Sequence, residues 1–127
     1  MYHYKAKCLR VVDGDTVDLE VQLGFRLVFT DRFRLYGINA PEVRGEDREA
    51  GQESTEWLRQ RLFDGNGDPI ELDILTLKDR RGKFGRWLVK LLDPDEIEGM
   101  DFPTLEAYVS TLNALMVAEG KAVPANY

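Results

Sequence analysis

The sequence predicts a mainly β, α+β fold: five strands in a Greek-key barrel with two or three helices packed on it. Three observations point there. Short runs of apolar–polar alternation recur along the chain. Glycines punctuate the gaps between them. Two segments, one central and one C-terminal, switch to helical spacing. At 127 residues, the chain is long enough to bury a core without disulfides or metal staples. No internal boundary, repeat or low-complexity tract divides it, so residues 1–127 are read as one domain.

Residues 4–12 form the first predicted strand, with Tyr4, Ala6 and Cys8 on one face and Lys5 and Lys7 on the other. Asp13-Gly14-Asp15 ends it as a turn. Residues 16–23 alternate cleanly: Val17, Leu19, Val21 and Leu23 against Asp18, Glu20 and Gln22, the pattern of a half-buried strand. After Gly24, alternation resumes through Phe25, Leu27, Phe29, Phe33 and Leu35, with a bend or bulge expected at Asp31-Arg32. Pro41 cannot donate to a ladder, so residues 39–42 leave the sheet and a polar loop follows to Arg48. Trp57, Leu58 and Leu62 predict an amphipathic helix over residues 50–63, stopped by Asp64-Gly65-Asn66-Gly67. Ile70, Leu72 and Ile74 alternate with Glu71 and Asp73 and predict a strand, and residues 84–92 another. An acidic linker spans residues 93–103. Leu105, Tyr108, Val109, Leu112, Leu115 and Met116 then repeat at helical spacing, with Gly120 as the stop. This element order suits an OB-type barrel.

Charge is unevenly placed. The net charge of −6 suits a polyanion partner poorly. Between Lys78 and Lys90, however, six bases oppose only Asp79, a local net of +5. That is a usable footprint for nucleic acid, with modest affinity because few phosphates are neutralised at once. Cys8 is the single cysteine and His3 the single histidine, which excludes a disulfide framework and a His/Cys zinc site. No stretch approaches the ~20 apolar residues of a membrane span. Met1 to Lys5 holds no apolar signal core, so a cytoplasmic protein without a membrane partner is expected, a processed secreted form being the alternative.

Three segments offer chemistry. Asp13-Gly14-Asp15-Thr16 can hold a hard cation through carboxylate oxygens, or be an ordinary turn. Arg34 projects opposite Phe33 and Leu35, and Glu42 follows eight residues later; the two suit a phosphate clamp beside a base, or a surface arginine and a solvated loop. In Lys83-Phe84-Gly85-Arg86, the glycine permits close approach and Arg86 offers paired donors for phosphate oxygens, or the arginine simply faces solvent.

Taken in order, these pieces resemble the staphylococcal nuclease (thermonuclease) family over residues 7–122. The matched pieces are Val12-Asp13-Gly14-Asp15-Thr16-Val17, Arg34-Leu35, Gly37-Ile38, Pro41-Glu42, Lys83-Phe84-Gly85-Arg86 and Val117-Ala118-Glu119-Gly120-Lys121-Ala122. Residues 23–32 look like the extended hairpin of short phage-type and bacterial members. The resemblance implies Asp15 as a Ca²⁺ ligand, with the Ala40 carbonyl and the position of Asn39 completing the metal site beside Glu42. It implies that Glu42 orients or deprotonates the attacking water, and that Arg34 and Arg86 grip the scissile phosphate. Lys83, Phe84 and Tyr127 would contact substrate. The reaction would be in-line hydrolysis of DNA and/or RNA leaving 3′-phosphates, by a protein expected to be monomeric.

The sequence also departs from the family. Asn39 stands where a second metal-binding Asp is usual, which removes a negative charge and predicts weak Ca²⁺ binding, on the order of 10⁻⁴–10⁻³ M by analogy with low-charge sites; Mg²⁺ or Mn²⁺ are alternatives. Phe84 replaces a Tyr and keeps only its ring. The alternative to an enzyme is therefore a nuclease-like OB module that binds nucleic acid or a protein without cutting. Asn39 favours the module, and the trio of Arg34, Glu42 and Arg86 favours the enzyme.

Overall fold

The computed structural model describes residues 2–78, 87–97 and 110–125. Within them, β1 (Tyr2–Asp13), β2 (Thr16–Gly24), β3 (Leu27–Leu35), β5 (Leu72–Lys78) and β6 (Trp87–Leu91) close a barrel in the order β1-β2-β3-β6-β5. All pairs are antiparallel except β3 with β6, which run parallel. This is the expected OB-type barrel. A short β4 (Ile38–Asn39) pairs with β7 (Val123–Pro124) outside it. The helices are α1 (Arg48–Leu62), a single turn α2 (Pro94–Ile97) and α3 (Leu112–Ala118). Among the described residues no helix is long and apolar enough to cross a membrane.

The barrel interior is built from the alternating residues. Ala6, Cys8, Val11, Val17, Leu19, Val21, Phe33 and Leu35 are buried with Leu72, Ile74, Val89 and Leu91, and Trp57, Leu58 and Leu62 of α1 pack into the same core. Fully burying such a side chain contributes about 1.5–3 kcal/mol. Burial holds the Cys8 thiol neutral, pushing its pKa up to about 12.

Four details differ from the sequence expectation. The bend at Asp31-Arg32 is absent: Asp31 pairs with Leu19 and Arg32 with Asp18. The Arg32 guanidinium also donates two hydrogen bonds to the Asp18 carboxylate, at 2.8 and 3.2 Å, which keeps both strands in register. The irregularity falls instead between Gln22 and Gly24. The hairpin then turns through Gly24, Phe25 and Arg26, all with positive φ, so Phe25 sits at the tip, 98% exposed, and does not continue the alternation.

Asp73 alternates with the apolar Leu72 and Ile74, yet it too is buried. It accepts hydrogen bonds from His3 Nε2 at 2.7 Å and Lys5 Nζ at 2.9 Å across the β1–β5 pair. The C-terminal periodicity is not one continuous helix. Thr111 is extended, bridges to Leu92, and caps α3 by accepting the Ala114 N–H at 3.1 Å; residues 105–109 lie outside the described residues. Finally, the acidic linker contains α2, whose first turn is opened by the Asp93 carboxylate accepting the Asp95 N–H. Gly120 (φ +74) does stop α3: its N–H reaches the Val117 carbonyl, and the Lys121 N–H reaches that of Met116 at 2.7 Å.

Candidate functional site

The site is assembled at the β1–β2 turn. Asp13 Oδ1 accepts the Asp15 N–H at 3.0 Å, closing the turn on itself. The Asp15 carbonyl accepts the Leu35 N–H at 2.8 Å, which ties the start of β2 to the end of β3. Asp15 and Arg34 are thereby neighbours although nineteen positions separate them. Arg34 also pairs with Thr16 in the β2–β3 ladder.

Asp15 is buried yet held ionised. Burial by itself raises its pKa. Hydrogen bonding with Asp13, the Ala40 N–H, the Arg34 charge and the Thr16 hydroxyl outweigh that, and the net shift is downward. The bonds are short: Ala40 N–H to Oδ2 at 2.9 Å, Thr16 Oγ1 to Oδ1 at 3.0 Å, and Arg34 Nη1 to Oδ1 at 2.7 Å. Asp13 moves the other way, raised by burial and then by the Asp15 carboxylate beside it. The Asp15 and Arg34 side chains are 9% and 16% exposed, so their attraction is only partly screened.

The second Arg34 nitrogen, Nη2, donates to Asn39 Oδ1 and, at 3.5 Å, to the Ile38 carbonyl. One guanidinium thus faces a carboxylate, an amide oxygen and a backbone carbonyl. The structure brings Asp15, Arg34, Asn39 and Ala40 together through direct contacts. Glu42 follows two residues after Ala40, with its side chain exposed. Arg86, Lys83, Phe84 and Tyr127 lie outside the described residues.

The strip from Ile38 to Glu42 is held from three sides, and sequence reasoning missed all three supports. A Cβ on Gly14 would stand 2.7 Å from Ala40 Cβ and 2.8 Å from Ser54 Cβ, so the absence of a side chain lets the turn, the strip and α1 close on one point. A Cβ on Gly51, within α1, would stand 2.2 Å from the Glu42 carbonyl oxygen. From the far side, β7 pairs with β4, and the Ala125 N–H donates to the Gly37 carbonyl at 2.8 Å. Ser54 Oγ ties α1 to the Lys121 carbonyl at 2.5 Å. Asn113 of α3 pins the other flank: it accepts the Leu91 N–H at 3.0 Å and donates to the Tyr36 and Val89 carbonyls at 2.9 and 3.0 Å. The available signals were a glycine inside a helical pattern at 51 and a polar residue inside an apolar repeat at 113.

In kind, the donor set suits a hard divalent cation: Asp15, Asn39 and the Ile38 carbonyl all meet Arg34 with oxygen. In number it is lean: of these three groups only Asp15 is a carboxylate, and no metal-holding cluster of three His, Cys, Asp or Glu side chains occurs among the described residues. No protein-family model matches the chain, and no curated protein matches it.

Proposed function

We propose that the chain is a divalent-cation-dependent nuclease acting on DNA and/or RNA, with Ca²⁺ as the expected ion and Mg²⁺ or Mn²⁺ as alternatives. The observation that supports this reading is the meeting of Asp15, Arg34, Asn39 and Ala40 at one place, with Asp15 kept charged in spite of burial. Asp15, Asn39 and a backbone carbonyl of the strip would hold the ion. When bound, it would offset charge on a phosphodiester and lower the pKa of an attached water.

The roles of the chain's own groups follow from charge. Arg34 stays protonated at any working pH and can donate to two phosphate oxygens at once. Arg86, which immediately precedes Trp87 in the register partner of Phe33, is proposed as the second donor. Together they would meet the charge that grows on the equatorial oxygens during in-line attack; one such donor is typically worth ~100- to 1000-fold in rate. Glu42, exposed at the end of the strip, would take the proton of the attacking water.

The test is incubation of plasmid, single-stranded DNA and RNA with Ca²⁺, Mg²⁺, Mn²⁺ or EDTA. Metal-dependent fragments ending in 3′-phosphate, lost in Glu42→Gln and Arg86→Ala, are expected. Intact polymer under every metal would sink the enzyme. Asn39 and the engagement of Asp15 by Arg34 favour a second reading, a nuclease-like module that binds without cutting. Retention of nucleic acid with no cleavage would establish it.

A further inference from the structure

Arg34 occupies oxygens that a cation at this site would use, those of Asp15 and Asn39. We propose that Arg34 is the resident counterion of the Asp15–Asn39 oxygen cluster, and that a divalent metal enters only by displacing its guanidinium. The inference rests on the reading above that this cluster is where a metal belongs.

The geometry carries it. Nη1 lies 2.7 Å from Asp15 Oδ1. Nη2 donates to Asn39 Oδ1 and, at 3.5 Å, to the Ile38 carbonyl. Carboxylate, amide and backbone carbonyl oxygens are the ligand types of a hard cation, and here one organic cation already takes one of each. Asp15 Oδ1 also accepts from Thr16, and its Oδ2 accepts from the Ala40 N–H, so no oxygen of this carboxylate is idle. Of the three oxygens that Arg34 contacts, the Asp15 carboxylate carries the charge and the Asn39 and Ile38 oxygens carry none, with Asp13 as a second carboxylate beside Asp15.

The pair is also poorly screened. With the Asp15 side chain 9% exposed, breaking the pair without replacing the cation would strand a buried charge. Removal of Arg34 and arrival of a metal are therefore coupled: an incoming ion must supply the charge that the guanidinium withdraws. A released guanidinium is free to turn toward a phosphate. Asn39 fits the same logic. A carboxylate at 39 would add negative charge to the oxygens that Arg34 contacts, whereas the amide adds none.

The experiment measures metal binding without nucleic acid, so it does not depend on cleavage. Ca²⁺ and Tb³⁺ are titrated into the wild-type chain, Arg34→Gln and Arg34→Lys, by calorimetry and by terbium luminescence. Removing a cation in direct contact should tighten metal binding by roughly 10-fold or more, the scale on which a close charge shifts a carboxylate's equilibrium. Lys, a single point charge that cannot span three acceptors, should fall between wild type and Gln. If Arg34→Gln does not fold, the wild type still decides: the Arg34 Nε–H resonance should shift in step with Ca²⁺ saturation.

Equal or weaker metal binding in folded Arg34→Gln overturns the proposal, as does saturation that leaves the Arg34 resonance unmoved. Tighter metal binding by Arg34→Gln in a protein that never cuts would uphold the counterion role and sink the nuclease. Metal-dependent cutting with no change in affinity would do the reverse.

Discussion

Replacing Gly51 by alanine sets two effects of opposite sign against each other. Gly51 lies inside α1, where exchanging Gly for Ala ordinarily stabilises by about 0.8–1.0 kcal/mol. Here the new Cβ would stand 2.2 Å from the Glu42 carbonyl oxygen, 2.5 Å from the Glu42 carbonyl carbon and 2.8 Å from the Val43 nitrogen. All three are backbone atoms, so no side chain can swing aside. Relief to 3.0 Å needs a relative movement of about 0.8 Å between α1 and the strip carrying Glu42. Overpacking costs roughly 1–3 kcal/mol, and contact with backbone belongs at the upper end. The clash wins, with a net loss of about 1–2 kcal/mol, or roughly 4–10 °C in Tm. Under the proposed role of Glu42 as proton acceptor, a displacement near 1 Å is on the scale that costs about 100-fold in rate. Urea and thermal unfolding measure the first effect and a cleavage time course the second, with Gln52→Ala, at an exposed position of the same helix, as the control. Gly51→Ala that is stabilised by about 1 kcal/mol and cuts at full rate would refute the reasoning.

Asn113→Ala should cost about 1–3 kcal/mol, because the Leu91 N–H loses its acceptor and the Tyr36 carbonyl its Asn113 donor, while the Val89 carbonyl keeps the Tyr36 N–H at 2.9 Å; a urea midpoint unchanged from wild type would contradict this. Burial raises the pKa of Asp73, but the hydrogen bonds from Lys5 and His3 outweigh it and the net shift is downward. A depressed folded value contributes stability present above the unfolded pKa of about 3.9 and lost as pH falls through the folded pKa. Asp73→Asn should therefore be less stable at pH 7 and lose less stability on acidification, and urea curves that stay parallel to wild type between pH 7 and 2.5 would count against the pairing. Cys8, with its pKa pushed up to about 12, should ignore an aromatic disulfide reagent at pH 8 until urea unfolds the chain; prompt reaction of the native protein would show the thiol is not held in the core.

The barrel was legible because its signal is local. In β2, Val17, Leu19 and Val21 alternate with polar neighbours, and all three are buried; a period of two needs only a short window to declare itself. Where alternation failed as a guide, another partner had intervened. Leu23 and Phe25 continue the pattern in sequence, yet both are exposed, because the hairpin runs on to a turn built from Gly24, Phe25 and Arg26. Asp73 alternates with apolar neighbours and is buried as they are, because His3 and Lys5, some seventy positions away, supply its hydrogen bonds.

The candidate site divides along the same line. Asp15, Arg34, Asn39 and Glu42 stand out from the chain by residue type and by their places at turns and strand ends, since carboxylates and arginines there are visible without coordinates. Their relation to one another is decided by contacts between distant segments. That the Arg34 Nη1 and Nη2 atoms meet Asp15, Asn39 and Ile38 depends on the β2–β3 register, and the strip that presents Asn39 depends on β7, some eighty positions further on. Composition and periodicity specify which surfaces must be buried, because hydrophobic burial is non-directional and follows the pattern alone. Which charged group meets which is settled by ångström-scale hydrogen-bond geometry, and that exists only once the barrel has closed.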